Sequence, residues 1–190
     1  MSLSKKIFFK INAQVGKRAW LDRLMYLSAN LLIYVLAFFV ITWGVFVLGG
    51  VDPEKFEIMV KILLTVFVFS FAISYGIALL WKHPRPIVEF PETKMLLHPI
   101  EVWKSFPSDH TSMSFLLAGS VVLMGAGLGF SIFVLLLATI IAFSRVYVGV
   151  HYPRDIVGGF VLALVLLFGS NWLLMNITQP LYTFLANLIA

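Results

Sequence analysis

Two stretches, Lys104-Ser-Phe-Pro-Ser-Asp-His110 and Ser144-Arg-Val-Tyr-Val-Gly-Val-His-Tyr-Pro-Arg-Asp155, set two histidines, two arginines and two carboxylates at the ends of long apolar runs. Ionisable side chains beside hydrocarbon are costly, so such a cluster marks a functional site. A histidine serves as nucleophile or as general acid or base near neutral pH, and works best when a carboxylate holds one ring nitrogen. Asp155 follows His151 by four residues, one helical turn. That spacing lets it accept the Nδ1 proton and leave Nε2 free for attack. His110 is then the acid that protonates the departing oxygen. Arg85, between Pro84 and Pro86, and Arg145 offer planar forks of donors suited to phosphate oxygens. Ser108 to Thr111 opens an apolar run, where free backbone N–H groups and the positive end of a helix dipole attract anions.

Each element also has a plainer reading. Arg85 alone would anchor a turn at the head groups, and Arg145 and Arg154 would snorkel to lipid phosphates, which is the preferred reading for Arg154. A lone His151 would be structural. An H-x3-D pair is also half of a metal site, but no further His, Cys or carboxylate lies near enough in sequence to complete one, so neither metal nor cofactor is expected. His83 and His98 read as loop residues, with His98 a weak candidate for substrate contact. The spacing of the set lifts it above its parts.

Groups so placed need elements to hold them, and composition says in what solvent those elements stand. Of the 190 residues 61% are hydrophobic and 12% charged, with a mean hydropathy of +0.97. A water-soluble domain of this size has no means to hide that much apolar surface, so the chain belongs in a bilayer. It holds no cysteine, which excludes disulfides, thiolate metal sites and Cys nucleophiles. The uncharged run Met25–Leu48 reads as a retained first span and Ile62–Trp81 as the second, with Lys61 and Lys82 at its ends. Thr111–Ser144 would be about 51 Å long as one helix, against a hydrocarbon core of about 30 Å, so it must fold back. Gly125-Ala-Gly-Leu-Gly129 is the turn that divides it into spans three and four. Span five runs from Ile156 to about Ile177, ended by Gln179-Pro180, and Leu181–Ala190 is too short to cross. Residues 5–24 alternate apolar and basic side chains at helical spacing, the pattern of a basic amphipathic helix on the membrane surface.

The expected fold is therefore an all-α integral membrane protein. A single domain over residues 1–190 holds an interfacial helix (1–24), a bundle of five transmembrane helices (25–178, a sixth being left open) and two catalytic loops, 82–111 and 144–155. With five spans, the loop after span two and the turn after span four lie on one side of the membrane, so Arg85, His110, Arg145, His151 and Asp155 can converge.

The wording S-R-x5-H-x3-D from Ser144 to Asp155, P-S-D-H from Pro107 to His110, and Arg85-Pro86 resembles the three-part signature of the type 2 phosphatidic acid phosphatase superfamily. The fuller wording P-R-P, S-F-P-S-D-H-T and S-R-V-Y-V-G-V-H-Y-P-R-D is similar to its bacitracin-resistance branch, undecaprenyl pyrophosphate phosphatases that recycle the cell-wall lipid carrier. The resemblance implies a metal-independent lipid phosphatase with His151 as nucleophile, Asp155 as its orienter, His110 as acid, and Arg85, Arg145 and Ser108 holding phosphate. It implies a lipid phosphate and membrane lipids as partners, no nucleic acid, and a multi-pass place in the cell (inner) membrane with the catalytic face outside the cytoplasm. Two departures stand out. The family lysine seven residues before the first-motif arginine is here Ala78, and Lys82, Lys94 or Lys104 is left to replace its charge, with Lys82 assigned to phosphate. Asp109 stands where the wider family has glycine; it is counted with the phosphate-binding residues, although a carboxylate beside the phosphate repels it unless it turns away.

Sidedness is contested: of 14 Lys and Arg, all but Lys55 and Lys61 lie on the catalytic side, which the positive-inside rule assigns to the cytoplasm. Alternative readings are a phosphatase for phosphatidic acid, phosphatidylglycerol phosphate or lipid A, or a transporter whose histidines only bind.

Overall fold

The computed structural model describes residues 1–189, and helices form its framework. Two short helices come first, α1 (Leu3–Asn12) and α2 (Ala19–Asn30). Ser2 caps α1, its hydroxyl accepting the Lys5 N–H. The single basic helix expected over 5–24 is thus two, broken at a turn where Gly16 has φ +86° and its N–H donates to Asp22. Nor does α1 merely float on lipid. Phe8 is fully buried, edge-on to Tyr152 at 5.2 Å, and Asn12 exchanges hydrogen bonds with the backbone of Lys94. Lys5 pairs with Glu89, which also accepts from the Tyr152 hydroxyl at 2.8 Å. Through Lys5, Phe8 and Asn12, α1 therefore straps both catalytic loops.

The first span also differs from its expected bounds. It starts at α3 (Leu32–Trp43) and continues through a π-helical turn, Gly44–Leu48, to Val51. The break from α2 falls where the Ala29 carbonyl accepts from Arg145 Nη1 at 2.7 Å. That draws a helix carbonyl out of its ladder beside the site. Asp52 then caps α4 (Pro53–Leu80), with Pro53 in the first helical position. A one-turn helix α5 (Pro86–Glu89) lies in the following loop. The hairpin of α6 (Asp109–Leu123) and α7 (Leu128–Tyr147) turns at Gly125, whose φ of +80° needs glycine. The last span is α8 (Pro153–Leu173). It does not stop at Gln179-Pro180: a π-helical turn, Leu174–Thr178, absorbs the missing proline N–H and leads into α9 (Gln179–Ile189). Ala190 lies outside the described residues.

Four helical stretches are long and apolar enough to cross a bilayer, Leu32–Val51, Pro53–Leu80, Leu128–Tyr147 and Pro153–Leu188. The fifth, α6, is about 22 Å long at 15 residues, short for a span. It is sheltered by protein instead, packing against α3, α4, α7 and α8. One core joins α3, α6 and α7 through Leu36, Val40, Ala118, Val121, Val134 and Ile141. Another joins α4, α6 and α8 through Ile62, Val66, Leu116, Ala163 and Leu166. Small residues let these helices close up. A Cβ on Gly159 would lie 2.6 Å from the Ser108 carbonyl oxygen and one on Gly119 2.3 Å from Leu167, so close packing is what these glycines serve.

Candidate active site

Loop 81–108 is held by its own backbone. Arg85 N–H donates to the Val102 carbonyl (2.9 Å) and Ser105 N–H to that of His83 (2.7 Å), so its two arms run side by side. Pro86 at the first position of α5 fixes the turn beneath Arg85. The guanidinium is aimed by the Glu101 carbonyl (Nε, 2.5 Å) and the Val150 carbonyl (Nη1, 3.1 Å), and Nη1 also lies 3.0 Å from His151 Nε2.

The end of α7 explains the spacing in the third motif. After Tyr147 the chain turns at Gly149, with φ +88° and its α-carbon so near the Lys94 carbonyl that a Cβ would come within 2.5 Å of it. The N–H groups of Val150 and His151 then fold back to the Arg145 carbonyl at 3.2 and 3.3 Å. Arg145 is 4% exposed and lines the same pocket as His151. Helix α8 starts at Pro153, and Asp155 reaches back to the Tyr152 N–H at 2.8 Å, as the third residue of a capping box does. His151 therefore stands outside the helix. Cap geometry, and not the one-turn helical spacing expected for H-x3-D, brings its Nδ1 to 3.6 Å from Asp155 Oδ2.

Arginine has only donors, so Nε2 of His151 receives from Arg85 through its lone pair and the ring proton sits on Nδ1, toward Asp155. That is the tautomer a nucleophile needs. Burial lowers the His151 pKa to about 4 against the upward pull of Asp155, and Arg85 and Arg145 add to the fall. The ring is thus neutral across the physiological range.

Asp155 Oδ2 has another partner that spacing did not reveal. Ser105 is fully buried and donates to it at 2.5 Å, while standing 3.5 Å from His151 Nδ1. The only signal in the sequence was its place in S-F-P-S-D-H, where no role was assigned to it. A hydrogen bond to a charged group is worth about 1.5–3 kcal/mol, so Ser105→Ala is expected to lower kcat about tenfold to a hundredfold. KM should change little, since the hydroxyl faces the dyad and not the pocket. Steady-state kinetics on a variant with unchanged thermal stability checks this; an unaltered kcat would mean that the serine only packs.

The pocket, about 400 Å³, is lined by Arg85, Arg145, His110, His151, Asp109, His98 and Glu101, with Asn30 and Tyr34 from α2 and α3 and Phe71, Tyr75 and Met113 toward the bilayer. The structure thus gathers Arg85, Arg145, His110, His151 and, behind His151, Asp155. Ser108 is close but turned inward: it is fully buried, its N–H donates to the Asp155 carbonyl and its Oγ accepts from Thr111. Asp109 lines the pocket with its charge matched by Lys104 (2.5 Å) and a hydrogen bond from Ser74 (2.6 Å). Lys104, 2% exposed, lies 4.6 Å over the Tyr75 ring. Lys82 is exposed and outside the pocket lining, and Lys94 is tied to the Val15 carbonyl. Of the three lysines considered for the missing family charge, Lys104 is the one the fold carries to the edge of the site, which leaves the assignment of Lys82 without geometric support.

Comparison with known proteins places the chain in a family. The family model described as PAP2 superfamily matches residues 59–179. The putative undecaprenyl-diphosphatase YbjG of Escherichia coli (strain K12) is 31% identical over 165 residues, covering 86% of this chain and 79% of that protein. The undecaprenyl-diphosphatase BcrC of Bacillus subtilis (strain 168) is 26% identical over 164 residues, 86% of this chain and 80% of its own length. The crystal structure of Aquifex aeolicus LpxE aligns with a TM-score of 0.69 at 26% identity, over 90% of this chain and 95% of that one.

Proposed function

We propose that this chain, which belongs to the PAP2 superfamily and is a multi-pass membrane phosphatase of that family, converts undecaprenyl pyrophosphate to undecaprenyl phosphate through a phosphohistidine. What carries the mechanism is His151, its Nε2 on the pocket side against Arg85 and its Nδ1 backed by Asp155 and Ser105. Nε2 attacks the terminal phosphorus while Arg85 and Arg145 bind its oxygens, the P–O bond to the lipid-side phosphate breaks, and His110, which takes up a proton when the anionic head enters beside it and offsets the charge of Arg145, gives that oxygen the proton. His110 then takes a proton from water, which attacks the phosphohistidine and releases inorganic phosphate. The choice of lipid rests on the names of the two undecaprenyl-diphosphatase relatives. The opening toward Tyr34, Phe71 and Met113, apolar groups of the bundle, suits a chain that stays in the bilayer.

Phosphate release by the purified protein in detergent with excess EDTA tests the reading. Undecaprenyl pyrophosphate should exceed both a soluble short-chain analogue with the same head and phosphatidic acid in kcat/KM, since remote binding groups contribute to transition-state stabilisation. Equal values for long and short chains would point to a general phosphatase, preference for phosphatidic acid to another lipid, and activity restored only by Mg²⁺ to a different chemistry.

The catalytic face is, in this reading, outside the cytoplasm, as the family resemblance implies. Its basic residues are poor topology markers because many have structural or pocket positions: Lys5 pairs with Glu89, Lys94 with Val15, Lys104 with Asp109, and Arg85 and Arg145 line the pocket. Ile100 is fully exposed at the mouth, so Ile100→Cys in this cysteine-free chain should react with an impermeant maleimide in intact cells. Protection until the cells are lysed would reverse the assignment.

A further inference from the structure

A second concave surface lies on the other side of the 101–108 arm. It is a groove of about 720 Å³, within the usual size of ligand sites (about 300–1,000 Å³), between α4 and α8 with α1 across its head. Its walls are Ile73 and Ile77 of α4, Val157, Val161 and Val165 of α8, and Ile7 of α1. Arg154 is the one ionisable residue among the described residues that line it; its carboxylate neighbour, Asp155, lies behind it, outside the lining. From Arg154 to Val165 the groove runs about 16 Å at about 1.5 Å per residue, near half of a hydrocarbon core of about 30 Å. A cation at head-group level above an apolar trough one leaflet deep has the dimensions and the charge of a site for one lipid.

We infer that this groove binds an anionic phospholipid of the bilayer, its chain along α4 and α8 and its phosphate on Arg154, at a site separate from the catalytic pocket. The surroundings of Arg154 support this. Its guanidinium lies 5.1 Å over the Tyr152 ring and 3.4 Å from His83 Nδ1, while its Nε has no hydrogen-bond partner and stands 3.5 Å from Asp155 Oδ1, which has none either. The side chain is 37% exposed, so it is open to a ligand on one face and touches the catalytic carboxylate on the other. Ser4 accepts the Arg154 N–H at 3.1 Å and keeps its own hydroxyl proton to offer a phosphate oxygen. An anion there offsets the pull of Arg154 on Asp155, leaving more negative charge for the imidazolium side of the dyad. Occupancy therefore raises kcat.

Lipid retention by the purified protein tests the site without reference to its substrate. Native mass spectrometry in mixed micelles should show phosphatidylglycerol retained several-fold over phosphatidylcholine, with Arg154→Gln bringing the two to parity. Val161→Trp fills the trough far from the dyad and should reduce retention of both, which keeps the test sound if the arginine variant fails to fold. Equal retention of the two lipids by the wild type, an unchanged preference in Arg154→Gln, or displacement by millimolar glycerol phosphate alone would overturn the lipid site. Coupling is read separately: kcat in phosphatidylglycerol should exceed that in phosphatidylcholine by about fivefold, at the low end of linked-site effects. Val161→Trp should abolish that difference while keeping its activity in phosphatidylcholine. Lipid bound with no change in kcat would keep the site and overturn the coupling.

Discussion

His151→Ala is expected to abolish turnover, with kcat falling by about 10⁴-fold or more, because the variant has no group to form the covalent intermediate. Folding should survive. The ring is buried, but the turn that carries it is held by backbone bonds from Val150 and His151 to the Arg145 carbonyl, which alanine retains. Brief incubation of the wild type with substrate labelled in its terminal phosphate should trap an acid-labile phosphoprotein that His151→Ala does not form. Nucleophile and orienter act as a unit, so adding Asp155→Ala should cost little more. The same assignment has a pH signature. With the histidine pKa lowered from 6.5 to about 4, the neutral ring persists as pH falls through 6 and 5. The acid limb of kcat/KM, corrected for ionisation of the substrate, should then lie nearer pH 4 than 6.5. Stability falls with acid too, but over a higher window: a lowered histidine pKa means the unfolded chain binds the proton first, so folding weakens as pH drops from 6.5 toward 4. Full activity in His151→Ala, or phosphate trapped at another residue, would remove His151 from the mechanism.

Arg145→Lys should be nearly as damaging despite keeping the charge, with kcat/KM down about a hundredfold to a thousandfold. One arm of the guanidinium, Nη1, is committed to the Ala29 carbonyl, while the residue lines the pocket and its buried Nε has no protein partner. An ammonium is a single point: it can meet Ala29 or a phosphate oxygen, and not both in this geometry. If it keeps the carbonyl, the α2–α7 tie and the melting temperature persist while binding of the transition state is lost. Comparing kcat/KM with thermal unfolding separates the two roles. Loss of stability with kcat/KM retained would make Arg145 a structural tether only.

What the amino-acid sequence determined by itself was the solvent, the long apolar helices and the candidate residues that the fold brings to one pocket. Apolar runs longer than any soluble helix needs, cut by glycines and prolines, specify helices and their ends, and parity then puts loops 82–111 and 144–155 on one side. Local patterns carry that information because helix ends and spans are decided by residues within a few positions of one another. Three things were decided only by tertiary structure. The first is the break between α2 and α3, which no helix breaker at Asn30-Leu31 announces; it coincides with a bond from Arg145, 116 residues away. The second is the company of Asp155 and Asp109: Ser105 and Lys104 reach these carboxylates only after the loop folds against α6 and α8, and Lys82, nearer to Arg85 in sequence, stays exposed outside the pocket lining. The third is α1, whose alternating charges matched a surface helix while Phe8 and Asn12 locked it to Tyr152 and Lys94. Periodicity reports which face of a helix is apolar. Whether that face meets lipid or protein depends on what the rest of the chain brings to it.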